Sequence, residues 1–74
     1  MKRTWFQMSF DEVGDRWIVE AENEVLALHC GNFLEIRIGD QGIPCRIELD
    51  LDWYVIMQGA RFDLRKKDTY QVEV

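Results

Sequence analysis

Apolar and polar residues alternate along most of this chain with a period of two, and helical periodicity is poor. In 4–10, Phe6, Met8 and Phe10 interleave with Trp5, Gln7 and Ser9, which predicts a strand with those three on one face. Asp11-Glu12-Val13-Gly14-Asp15 reads as a turn. A second strand follows over 16–21, with Trp17, Val19 and Ala21 on one side and Ile18 on the other. In residues 25–30, Val-Leu-Ala-Leu-His-Cys, Val25, Leu26, Leu28 and His29 could sit on one side of a helical turn, but six residues are too few for a stable helix. They are read as a strand shorter than the apolar run, joined by Gly31-Asn32 to the alternating 33–38 in a β-hairpin. Gly39-Asp40-Gln41-Gly42 predicts a turn, and 43–50 a strand with Ile43, Cys45, Ile47 and Leu49 facing one way. Pro44 lacks an amide donor and belongs at that strand's start or on an edge. Residues 53–57 are apolar on both faces, so Trp53 and Tyr54 point opposite ways. Phe62 and Leu64 alternate with Arg61, Asp63 and Arg65, and 70–74 closes the chain with Tyr70, Val72 and Val74 aligned.

Six to seven short strands with turn signals about every ten residues are the pattern of small sandwiches and barrels. A flat sheet of 74 residues would leave two open edges and could not cover its apolar faces. Curling buries one face of every strand in a shared core. An OB-fold would need an inserted helix, and none is evident. The expected architecture is therefore all-β, a small antiparallel open barrel, SH3-like, forming one domain over 1–74. Its core is expected to hold Trp17, Leu34, Ile36, Ile38, Ile47, Leu49, Val55 and Val72. Phe6, Phe10, Trp17, Phe33 and Tyr70 read as structural aromatics. One of Trp53 and Tyr54, together with Trp5, is left for the surface.

Length and charge narrow the function. One thin core argues against a large catalytic cleft and most cofactor folds. No apolar run approaches a membrane span, and polar residues interrupt the basic start too early for a signal peptide, so a cytoplasmic protein with no membrane association is expected. The net charge is −5, with 14 acids against 9 basic residues. Eleven of the acids fall within 11–52, against Arg16, Arg37 and Arg46. The one basic cluster, Arg65-Lys66-Lys67, reads as a solvated turn, so direct nucleic-acid binding is not expected.

Candidate chemistry is sparse. Cys30 and Cys45 read as reduced, buried thiols, and with His29 they supply too few ligands for a zinc site. No glycine-rich phosphate loop is present. No cofactor, metal or catalytic residue is expected. Glu48, Asp50 and Asp52 fall on one side of an extended strand, ~7 Å apart, too far for a tight acid–base dyad. The candidate partner-binding residues are Trp53, Tyr54, Glu48, Asp50, Asp52 and Trp5, because exposed aromatics anchor interfaces and carboxylates steer a basic partner.

At Leu28-His29-Cys30-Gly31, Leu34-Glu35-Ile36, Arg46-Ile47-Glu48 and Trp53-Tyr54 the sequence resembles a family of short bacterial proteins of unknown function. Arg16-Trp17 and Tyr70-Gln71-Val72 fit the two ends of the pattern, so the resemblance covers about 16–74. Members occur mostly in Firmicutes, often on integrative and conjugative elements. The resemblance implies a small all-β domain with no established activity. The expected function is a non-catalytic protein-interaction module, an accessory protein of a mobile genetic element. The alternative is an acidic inhibitor or nucleic-acid mimic acting on a host DNA-binding or defence protein. Mimicry requires Glu35, Glu48, Asp50, Asp52 and the acids of 11–24 to form one continuous face.

Overall fold

The structure is a computed structural model and describes residues 4–74; the basic pair Lys2-Arg3 lies outside the described residues. Eight strands form one antiparallel sheet: β1 (Phe6–Asp11), β2 (Arg16–Ala21), β3 (Glu24–Ala27), β4 (Phe33–Ile38), β5 (Gln41–Leu49), β6 (Trp53–Met57), β7 (Ala60–Asp63) and β8 (Tyr70–Glu73). Their order is β3-β2-β1-β8-β4-β5-β6-β7, an open sheet curled into a small barrel around one core. No described residue is helical.

Local chemistry accounts for the tight turns. Gly39-Asp40 joins β4 to β5 with Gly39 at φ +63°, a turn whose first central residue must be glycine-like. Gln58-Gly59 joins β6 to β7 with φ of +53° and +77°, the paired positive angles of a type I′ turn. Both turns match the right-handed twist of the strands they join.

The inner face carries the core: Met8, Trp17, Val19, Leu34, Ile36, Cys45, Ile47, Trp53, Val55, Met57 and Val72 are buried, together with Leu28 from the segment after β3. Trp17 sits at its centre, edge-on to Phe10 at 5.5 Å and to Tyr70 at 5.7 Å. Six of the eight expected core residues are there. Ile38 and Leu49 are not; they are 52% and 44% exposed. Both stand at strand ends, and β5, at nine residues, is the longest strand of the sheet.

Other expectations change. The sheet has eight strands instead of six to seven, because Ala60–Asp63 pairs with β6 although all four residues are exposed. Pro44 lies inside β5 and not at its start, opposite Glu35. Residues 25–30 contribute only 24–27 to the sheet, and β3 and β4 do not form a hairpin. Instead the segment 28–32 crosses from the β3 edge to the middle of the sheet. Gly31 adopts φ +89°, the His29 N–H donates to Asn32 Oδ1 at 2.8 Å, and Gly31 and Asn32 bond the backbone of Ile47. Cys30 rides on this loop and is exposed, in contrast to the expected core thiol. Phe33, expected to be structural, is 77% exposed: Leu34 and Ile36 turn inward, so a strand's alternation sends Phe33 out.

Candidate functional site

The two hairpins β4–β5 and β6–β7 present a mixed outer face. Cross-strand register aligns Phe33, Arg46, Ile56 and Arg61 in one row, and Glu48, Tyr54 and Asp63 in the next. These positions alternate with buried Leu34, Cys45, Ile47, Val55 and Met57, which fixes the direction of the row.

Tyr54 is the outward aromatic of its pair. Its ring is half-buried beneath the Arg61 guanidinium, whose carbon stands 3.9 Å from the ring centroid. Trp53 points inward and is only 6% exposed, so it belongs to the core and not to a binding surface. The parity of β6 decides this: Trp53, Val55 and Met57 share the face that meets Ile47.

The carboxylates do not make the expected ladder, because β5 ends at Leu49. Glu48 is within the strand and pairs with Arg46 at 2.6 Å. Asp50 and Asp52 lie in the turn that follows, where the Asp50 N–H donates to the Asp52 carbonyl and the Leu51 N–H to the Asp50 side chain. Asp50 also accepts from Arg61 at 3.3 Å, and Asp63 does so at 2.9 Å. The hydrogen bond from Arg61 to Asp63, reinforced by Asp50, raises the guanidinium above its ordinary pKa. One cation thus serves two anions. Asp52 is exposed at the rim.

Trp5 is not part of this cluster. It precedes β1, half-buried, with Arg37 of β4 at 5.9 Å from its ring. Four steps of sheet order separate β1 from β6. The sequence reading missed Phe33, Ile56, Arg46 and Arg61. For Phe33 the signal was available in the parity of Leu34 and Ile36. Arg61 depends on β7: its alternation with Phe62 and Leu64 was visible, but the pairing with β6 that brings it over Tyr54 was not.

The inner face also opens at one end. Ile38, Ile43, Met57, Phe62, Leu64 and Tyr70 line an apolar groove of about 600 Å³. Polar chemistry there is limited to Arg37, Gln41, Gln58 and Asp63. Cys45 is buried elsewhere in the core. Burial pushes its thiol up to about 11, with the Glu35 charge adding to the rise and a backbone hydrogen bond at Ile36 opposing it. A thiol held protonated in this way is a poor nucleophile at neutral pH. Among the described residues, no group of three or more histidines, cysteines or acids is placed to hold a metal, and no helix is long and apolar enough to cross a membrane.

The fold is similar to that of a crystal structure of a protein from Ruminococcus gnavus, with a TM-score of 0.79 over 96% of this chain and 100% of that chain. The two share 22% sequence identity, so the likeness is one of fold. No curated protein matches the chain. A family model described as a domain of unknown function, DUF5348, matches residues 6–74.

Proposed function

The chain belongs to the DUF5348 family of domains of unknown function, and from the surface described above we propose that it is a non-catalytic protein-interaction module. On this reading it is an SH3-like scaffold that binds a protein partner through the outer face of β4–β7. The observation that carries the proposal is Phe33: a phenylalanine 77% exposed, in register with Arg46, Ile56 and Arg61 on a regular sheet. A lone exposed apolar residue needs no explanation, but Phe33, Ile56 and Tyr54 together put aromatic and aliphatic anchors among arginines.

The rim favours a basic partner. Glu48, Asp50, Asp52 and Asp63 stand around Arg46 and Arg61, four carboxylates to two guanidiniums. Such a rim steers encounter more than it adds affinity. In the same proposal the module serves a mobile genetic element in the cytoplasm, in keeping with the resemblance carried by its motifs.

The acidic-mimic alternative is less well supported. Asp11, Glu12 and Asp15 surround the β1–β2 turn, whereas Glu22 and Glu24 surround the β2–β3 turn at the opposite end of β2. Six residues of strand separate those ends by ~20 Å. Glu48 is on β5, and Asp50 and Asp52 lie in the turn between β5 and β6. These acids scatter, and a nucleic-acid backbone mimic needs them in one line.

A photo-crosslinking residue placed at 33 or 54 in the native host tests the proposal, with position 13, on a remote turn, as control. One partner captured at 33 and 54 but not at 13 is the expected result. With that partner purified, Tyr54→Ala speeds dissociation at a cost of about 2 kcal/mol. Asp50→Asn with Asp52→Asn slows association and flattens its salt dependence. Equal capture at all three positions, or unchanged binding by folded variants, overturns the proposal.

A further inference from the structure

The β7 edge carries an inference that goes beyond the outer-face reading. We propose that two copies of this chain associate by antiparallel pairing of β7 with β7, centred on Phe62.

The direction of the free backbone groups comes first. Gln58-Gly59 makes a two-residue loop, and the Leu64 N–H donates to the Trp53 carbonyl at 3.0 Å. In an antiparallel ladder, residues alternate between those whose N–H and C=O face the neighbour and those whose groups face away. Phe62, two residues from Leu64, therefore faces β6, while the backbone groups of Arg61 and Asp63 face outward. β7 is the last strand in the sheet order, so among the described residues no strand meets them.

Short, charged edges usually prevent pairing with foreign strands. Here the charges select one partner. With Phe62 on the two-fold axis, Arg61 of each copy lies opposite Asp63 of the other, and the two residues can exchange both main-chain hydrogen bonds. Sliding the register by two residues in one direction sets Arg61 opposite Arg61; in the other, Asp63 opposite Asp63. Like charges directly opposite are destabilising, so one register survives. Each Arg61 already serves Asp50 and Asp63 of its own chain, which leaves a surplus carboxylate for the second copy's guanidinium.

The same register brings the two Phe62 rings together on the groove side of the sheet. Phe62 is 50% exposed in the single chain, and Ile38 and Leu64 lie beside it in the groove. An aromatic cross-strand pair would cover part of that open end. The other edge, β3, lacks this complementarity: Glu20, Glu22 and Glu24 gather around it, and two copies would bring like charges together. Four residues of edge make a small contact, so the association is weak and concentration-dependent.

Sedimentation equilibrium of the full chain from micromolar to millimolar concentration tests this, with folding of each variant checked by circular dichroism. A monomer–dimer equilibrium weakened by salt is expected. Arg61→Asp alone and Asp63→Arg alone each convert both cross-axis pairs to like charges and weaken the dimer about tenfold or more. The double exchange restores opposite charges across the axis and with them the dimer. A monomer at every concentration overturns the proposal. So does a dimer indifferent to both single variants, or one lost in both and not regained in the double.

Discussion

The inner face of this sheet has two ends built from the same kinds of residue, with opposite results. At the Trp17 end, Met8, Val19 and Val72 are fully buried, and Phe10 and Tyr70 meet the indole edge-on. At the other end, which shares Tyr70 with the first, Ile38 and Phe62 are about half exposed around an open groove, although they are as apolar as the residues they continue. The difference lies in what stands opposite. β1 and β2 bring Trp17 and Met8 across one end, and the loop after β7 adds Lys66 over the Phe10 ring at 4.8 Å. Among the described residues, nothing comparable reaches across the tips of the β4–β5 and β6–β7 hairpins. Apolar patterning marks the face that seeks cover, and the opposing layer decides how much of it is covered.

The most severe way to break the comparison is at Trp17. Trp17→Ala removes the largest fully buried side chain, and should cost about 3–5 kcal/mol by urea denaturation. The indole N–H has no partner among the described residues, itself a cost of about 1–3 kcal/mol to the native state. Trp17→Phe removes that orphaned donor while keeping an aromatic ring, so its cost should be clearly smaller. Equal losses for the two variants would mean that the ring's packing is not what holds this end together.

Cys45 gives an intermediate effect that pH can read. Its native pKa of about 11 lies above the ordinary 9.0, so the unfolded chain releases the proton first as pH rises. The unfolded state then binds fewer protons than the native one, and stability falls with rising pH. The contribution is fully present below pH 9 and is lost as pH climbs toward 11. Denaturation at pH 8 and pH 10.5, compared between the wild type and Cys45→Val, should show this loss in the wild type alone. In the native state an alkylating reagent at pH 8 should label exposed Cys30 and leave Cys45 unlabelled until unfolding.

At the open end the effects shrink. Phe62→Ala and Ile38→Ala should each cost no more than about 1 kcal/mol, because half of each side chain is already in water. Losses as large as that of Trp17→Ala would show the groove to be closed in solution. Phe33→Ser, on the outer face, should shift stability by about 0.5 kcal/mol or less. A larger loss would make Phe33 a structural residue and not a binding one.

The strands and most of the core were legible in the chain, but the uncovered end was not: Ile38 was expected inside. Residues 16–21, 33–38 and 53–57 are strands with the bounds read from the sequence, and Gly39 and Gly59 stand where positive φ is required. Six of the eight expected core residues are buried. The candidate site was legible only in part. Tyr54, Glu48 and Asp50 do meet on one outer surface, while Trp53 turned inward and Trp5 lies across the sheet.

The sequence by itself determined the local features: strand parity, turn positions and the apolar face of each strand, since these depend on neighbours one to four residues away. Only the tertiary structure decided that the last strand, β8, inserts between β1 and β4, which separates β3 from the strand that follows it. It also decided which apolar ends remain uncovered, that four exposed residues make an edge strand, and that Arg61 of β7 reaches Asp50 in the β5–β6 turn. Each of these depends on pairings between residues distant in sequence, and a period-two pattern says which face a side chain takes but not which strand or layer it meets.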